Sequence, residues 1–194
     1  MLKNEYEIYL RPLKESDISE RYLKWFSDNT ITEFLEVHGL KKKDCVDYLK
    51  LGINSKEYFL FAIVSKEKNL HIGNIKIGPI KNKHAISDLV TVIGDKKYWG
   101  KGIASKAIIK AKEIAFNIAG LRKLSASIDS SNVNSLKAYQ RAGLTIEAQV
   151  PNYFMHTKEE NIEYSDKIFV GCTNANFRAE FFNIDRLVKI FEDN

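Results

Sequence analysis

Gly94-Asp95-Lys96-Lys97-Tyr98-Trp99-Gly100-Lys101-Gly102-Ile103-Ala104-Ser105 joins an apolar β run, Asp88 to Ile93, to a long helical segment, Ile103 to Ala119. The glycines let the backbone approach a ligand closely. The start of the following helix supplies N–H groups without intrahelical acceptors and the positive end of the helix dipole, which together favour an anion. Phosphates are therefore expected at this loop. A dinucleotide fingerprint would need G-x-G-x-x-G/A directly after the strand and an acid about 20 residues on. Here Ser105 takes the third small position, and Arg122 and Lys123 occupy the region of the acid. A Walker loop needs G-x-x-x-x-G-K-[ST]. Gly94 and Gly100-Lys101 stand one residue too far apart, and Gly102 replaces the hydroxyl residue. Both nucleotide readings fail.

Outward from this loop the pattern alternates between strands and helices. Tyr58–Ser65 and Leu70–Ile80 read as a hairpin around a turn at Lys66–Asn69, and Glu7–Leu10 as a first strand ended by Arg11-Pro12. Asp17 with Glu20 resembles a helix start, followed by Ile18, Tyr22 and Phe26 on one face. A second helix, near Lys42–Ile53, aligns Val46, Leu49 and Ile53. Beyond the long helix, whose broad apolar face includes Ala104, Ala107, Ile108, Ala111 and Ala115, come a strand at Lys123–Ile128 and a short helix at Asn132–Ala142, stopped by Gly143. Strands at Leu144–Val150 and Tyr164–Cys172 follow. The fold class is α/β in the mixed α+β sense, a mixed sheet with helices on both faces. Ile184, Leu187, Val188 and Phe191 form the apolar stripe of a last helix. That stripe needs a surface to cover it, on this chain or on a second copy in a homodimer.

The chain has 194 residues, is 44% hydrophobic and 28% charged, and suits one domain. No apolar run approaches the roughly 20 residues needed to span a bilayer, and the polar start Met1-Leu2-Lys3-Asn4-Glu5 lacks a signal-peptide core. A cytoplasmic protein is expected, with no membrane partner. Cys45 and Cys172 are too few for a disulfide framework, and His38, His71, His84 and His156 show no zinc spacing, so no metal is expected. The net charge of +5 is spread among alternating acids and lysines, with no nucleic-acid patch. Its densest cluster, Lys96, Lys97, Lys101 and Lys106, brackets the glycines and fits a small polyanion.

Lys97-x-x-Gly100-x-Gly102 resembles the R/Q-x-x-G-x-G/A signature of the GNAT superfamily of acyl-CoA N-acyltransferases, with Lys in first place. One strand later, Asn132-x-x-Ser135-x-x-x-Tyr139-x-x-x-Gly143-Leu144 resembles that family's N-x-x-S-x-x-x-Y-x-x-x-G-F. Arg11-Pro12, Ile72-Gly73 and Tyr98-Trp99-Gly100-Lys101-Gly102 look like the branch that includes ribosomal-protein N-terminal acetyltransferases. The resemblance runs over about residues 8–172. It implies a GNAT fold: a mostly antiparallel sheet of about seven strands with one parallel, splayed pair, here Asp88–Ile93 and Lys123–Ile128. A single N-acetyltransferase domain would occupy residues 1–194, with about 173–194 as a C-terminal helical extension.

The resemblance also implies chemistry. Acetyl-CoA would be the co-substrate and a primary amine the acceptor: a protein N-terminus, a small amine or a nucleotide-linked amino sugar. Backbone groups of Val92 and Ile93 would pair with the pantetheine arm, and an N–H there would polarise the thioester carbonyl. N–H groups over Gly100, Lys101, Gly102, Ile103, Ala104 and Ser105 would hold the pyrophosphate beside Trp99. Lys96, Lys97 or Lys101 would meet the 3′-phosphate. Asn132 would bond the arm, although Asn also serves as an ordinary helix cap. Tyr139 is the expected general acid for the departing thiolate. The Glu that one relative branch places on the strand before the Asn is Ser127 here, so the base is open between Asp88 and Glu147. An alternative keeps the fold without turnover, as a GNAT-like acyl-CoA-binding module. Acids and aromatics at Trp25–Ile53 and in a loop at Pro151–Glu163, among them Asp28, Glu33, Glu36, Glu159, Glu160 and Glu163, are expected to face the amine, with Lys41–Lys43 suited instead to a nucleotide-linked sugar.

Overall fold

The computed structural model describes residues 6–158 and 161–193. Seven strands form one sheet in the order β1-β2-β3-β4-β5-β7-β6. They are β1 (Ile8–Pro12), β2 (Phe59–Ser65), β3 (Leu70–Lys81), β4 (Ile86–Ile93), β5 (Lys123–Asp129), β6 (Thr145–Lys158) and β7 (Asn161–Thr173). All neighbours are antiparallel except β4 and β5. The helices are α1 (Glu20–Trp25), α2 (Asn29–Thr32), α3 (Lys42–Ser55), α4 (Ile103–Glu113), α5 (Val133–Arg141) and α6 (Asp185–Glu192).

Two apolar clusters show how the layers lie. On one face, α4, α5 and α6 contribute Ala107, Ile108, Ala138 and Leu187 to a core with Phe59, Ile75, Leu89, Leu124 and Ile128. On the other face, Ile18, Tyr22, Trp25, Val46 and Leu49 from the α1–α3 region pack on Ala62 and Val64 of β2. Strand β2 is covered on both sides, so it reads FLFAIVS as a nearly continuous apolar run rather than an alternation. The second cluster stops at the first half of the sheet. Beyond it the face carries exposed Val90 and Ser127.

Several boundaries differ from the sequence reading. Asp17 does not start α1. Its carboxylate accepts two hydrogen bonds from the Arg11 guanidinium, at 2.6 and 2.7 Å, and Ser19 caps the helix instead. A bidentate charged pair satisfies a carboxylate better than one backbone N–H. The segment Pro151–Glu163 is not a loop. β6 and β7 continue as a long hairpin, paired out to Lys158↔Asn161, with register shifts between Ile146 and Ala148 and between Val150 and Phe154. Glu159 and Glu160 lie outside the described residues. The long helix ends its regular part at Glu113 and continues as a π turn over Ile114–Ile118. The last helix docks on its own chain: Leu187 is fully buried, and Phe191 meets Phe59 and Phe61 with ring centroids 5.3 and 5.1 Å apart.

Candidate active site

β4 and β5 pair only at Ile86↔Lys123, Ser87↔Leu124 and Asp88↔Ser125. Past Asp88 the parallel strands part, and a gap opens between Leu89–Ile93 and Ala126–Asp129. Successive peptide groups of a strand point to opposite edges. The Leu89 carbonyl faces the gap, because the Tyr139 hydroxyl donates to it at 2.9 Å. By the same alternation Thr91 and Ile93 turn their backbone groups the same way. Val92 is the exception among the expected arm-binding residues. Its carbonyl lies against Gly73 of β3, where an added Cβ would stand 2.3 Å away. Only glycine allows that approach.

Tyr139 reaches the gap from α5, on the α4–α6 face. Asn132 caps this helix by accepting from the Ser135 N–H at 3.1 Å, and Gly143, at φ 87°, ends it. The local code therefore fixes the helix, and the helix aims the phenol. The hydroxyl also lies 3.4 Å from Thr91 Oγ1. Burial pushes the Tyr139 phenol up to about 12, with the Thr91 hydrogen bond opposing and the nearby Asp88 charge adding to the rise.

At the far end of β4 the chain turns through the glycine loop. Asp95 accepts from the Lys97 N–H at 3.0 Å, and the Trp99 indole donates to the Ile93 carbonyl at 2.7 Å. Gly100 and Gly102 both have φ near 72°, with nothing near the position of an added Cβ. Gly102 begins α4, and its carbonyl accepts the first helical bond, from Lys106 N at 3.1 Å. The N–H groups of Ile103, Ala104 and Ser105 are thus left without helical acceptors. The lysines separate into different settings. Lys96 pairs with Asp28 at 2.6 Å, Lys101 lies over the Tyr6 ring at 4.4 Å, and Lys97 is exposed.

The two candidate bases lie on the opposite face from α5. Asp88 accepts a hydrogen bond from Ser125 Oγ at the closed end of the gap. Glu147 pairs with Lys123. That uncovered face also holds a network absent from the sequence reading. Asp129, buried at the end of β5, accepts from Ser131 Oγ and Ser165 Oγ, each at 2.6 Å. His156 Nε2 stands 2.9 Å from Asp129 Oδ2. Burial raises the Asp129 pKa, but the Ser131 and Ser165 hydrogen bonds and the His156 charge outweigh it and hold the carboxyl below its ordinary value. No spacing motif signals this network, because His156 and Ser165 come together only through the β6–β7 register. Of the expected acceptor-facing acids, Asp28 is tied to Lys96 and caps α2, while Glu33 and Glu36 are exposed. Among the described residues no group of three or more His, Cys, Asp or Glu is arranged to hold a metal ion. No helix among them is long and apolar enough to cross a membrane.

Comparison with known proteins agrees with this fold. The family model described as an acetyltransferase (GNAT) domain matches residues 7–145. The chain is 21% identical over 187 residues to the spermidine N(1)-acetyltransferase of Escherichia coli K12, covering 92% of each. Its fold resembles that of the spermidine N-acetyltransferase from Vibrio cholerae, solved in complex with CoA and spermine, with a TM-score of 0.75, 17% identity, and coverage of 91% of this chain and 98% of that one. It also resembles the ribosomal-protein-S5-alanine acetyltransferase from Vibrio fischeri, with a TM-score of 0.74 and 18% identity over 88% of this chain and 95% of the other.

Proposed function

This chain belongs to the GNAT acetyltransferase domain family, and on that premise we propose that it moves an acetyl group from acetyl-CoA directly to a primary amine, with Tyr139 as general acid. The observation that carries this reading is the Tyr139 hydroxyl inside the β4–β5 gap, 2.9 Å from the Leu89 carbonyl. The pantetheine arm enters that gap and bonds the inward backbone groups of Thr91 and Ile93 and the Asn132 amide. The pyrophosphate sits on the N–H groups from Gly100 to Ser105, beside Trp99, with Lys97 and Lys101 for the 3′-phosphate. The chain acts as one domain, with the extension that begins at about residue 173 packed on it.

The amine nitrogen attacks the thioester carbonyl from the uncovered face, and a gap-facing N–H receives the developing oxyanion. As the C–S bond breaks, the sulfur takes the Tyr139 proton. The proton lost by the amine passes through water to Asp88, the ionisable side chain at the closed end of the gap. With its pKa near 12, the phenol stays protonated at neutral and mildly alkaline pH, so a proton is at hand on every turnover.

Two measurements test this. Acetyl-CoA at 100 times its dissociation constant stabilises the fold by about 2.7 kcal/mol, and an amine panel with acetyl-CoA releases free thiol. A melting temperature unmoved by millimolar acetyl-CoA, but raised by ATP with Mg²⁺ or by NAD, overturns the reading. Polyamines are the first acceptor class to try, given the named substrates of the similar proteins.

A further inference from the structure

The sheet face opposite α5 carries two lysines held by aromatic rings, one at the edge of α3 and one beyond the gap. Lys76, on β3, lies 5.7 Å from the ring centroids of both Tyr48 and Tyr58 and donates to the Tyr48 hydroxyl at 3.1 Å. The two tyrosine rings are themselves stacked at 4.4 Å. Lys167, on β7, stands 4.3 Å from the Tyr153 centroid and 5.3 Å from that of Phe169. Neither lysine has an ion pair with a described residue.

Register places them on either side of the gap. Lys76 is opposite Val90, between Leu89 and Thr91, whose oxygens meet the Tyr139 hydroxyl. Lys76 is thus level with the reacting atoms, on the strand next to the one that edges the gap, roughly 10 Å across the sheet from what threads it. Lys167 is opposite Asp129, one strand beyond the gap and nearer its mouth. The acids of the same face are otherwise engaged: Asp88 by Ser125, Asp129 by Ser131, Ser165 and His156, and Glu147 by Lys123. A polyamine would bring a second ammonium beside Lys76, where these three acids already have partners. An ammonium over aromatic rings keeps its charge and its remaining N–H donors, and those donors suit an incoming oxyanion.

We propose that the acceptor amine carries its own anionic group, a carboxylate or a phosphate roughly 5–10 Å from the nitrogen, received by Lys76 with Lys167 as the outer cation. This rests on the acetyl-transfer reading above and narrows it away from polyamines. The lysines select the acceptor by charge, while Asp88 still attracts the reacting nitrogen.

The test uses pairs of amines that differ by the anion: cadaverine against lysine, and glucosamine against glucosamine 6-phosphate, with spermidine alongside. Thiol release from acetyl-CoA is followed for the wild type, Lys76→Met, Lys76→Arg and Lys167→Met. In the wild type the anionic member of at least one pair should exceed its partner in kcat/KM by about tenfold. The responding pair then distinguishes carboxylate from phosphate. Lys76→Met should reduce the preference to about twofold, chiefly through KM, and Lys76→Arg should retain it. Acetyl-CoA-dependent stabilisation, measured on each variant, should be unchanged. The proposal falls if spermidine is the best acceptor, if no anionic amine exceeds background thiol release, or if the preference survives Lys76→Met. In those cases acetyl-CoA stabilisation of the wild type would leave the acetyl-transfer reading standing, whereas its absence would remove both.

Discussion

The Tyr139 hydroxyl crosses from the helical face of the sheet to donate to the Leu89 carbonyl at 2.9 Å, one residue past the last parallel pair, Asp88↔Ser125. It thereby occupies the point at which two adjacent strands stop bonding to each other. The ring belongs to the buried core, and its hydroxyl is directed at the edge of the gap, so a chemical role and a packing role make different predictions for its removal.

Tyr139→Phe is expected to lower kcat by about 10²–10⁴-fold, with little change in acetyl-CoA affinity. The hydroxyl is needed as sulfur leaves, so its loss belongs to the transition state. Steady-state kinetics with calorimetric titration of acetyl-CoA check this. A variant that turns over like the wild type would make Tyr139 a packing residue.

Gly102→Val should weaken acetyl-CoA binding. Nothing in the protein crowds a side chain at this position, so packing does not oppose the change. The positive φ costs about 1–2 kcal/mol for a residue with a Cβ, and the new methyls would stand over the proposed phosphate site. A fall in melting temperature with unaltered acetyl-CoA affinity would place the pyrophosphate elsewhere.

His71 predicts an acid limb in the stability curve. It is buried beside Tyr22 and Trp25, with ring centroids 6.1 and 5.1 Å away, and burial holds its pKa below the ordinary 6.5 despite the Asn74 hydrogen bond and the Asp17 charge. Below that value the unfolded chain takes up a proton that the folded chain resists. Stability is therefore full above about pH 6.5 and declines as pH falls through the range between the unfolded and the folded pKa. Denaturant melts from pH 7.5 to 5 should show this slope, and His71→Gln should flatten it. An equal slope in the variant would assign the limb to other groups.

Leu187→Ala should cost about 2–5 kcal/mol, because the side chain is fully buried against the core. Removing residues 180–194 should cost more, since Phe191 also leaves Phe59 and Phe61. Urea unfolding of both variants measures this. Wild-type stability after truncation would contradict the observed docking.

Much of this protein is written locally. The 3.6-residue period of α4, the Asn132 cap, Gly143 after α5 and the Gly100-x-Gly102 turn each depend on residues within a few positions of one another, so the sequence alone determined those elements and the order in which they follow. It also placed a phosphate-favouring helix start after an apolar strand. Tertiary structure decided what those elements enclose. The gap exists because β4 and β5 stop pairing after Asp88↔Ser125, and the antiparallel partner of β5 is β7, inserted ahead of β6. The Ser165–Asp129 contact spans 36 residues, and Lys76 meets Tyr48 across 28. Side chains so far apart leave no periodic trace, since their meeting depends on strand register rather than on neighbouring residues. Of the acids that composition offered to an amine, Asp28 pairs with Lys96 while Glu33 and Glu36 are exposed, and the acids set on the face itself, Asp88, Asp129 and Glu147, are engaged with hydroxyls, a histidine and a lysine. The cations that remain on that face come from strand positions whose side-chain direction only the folded sheet determines.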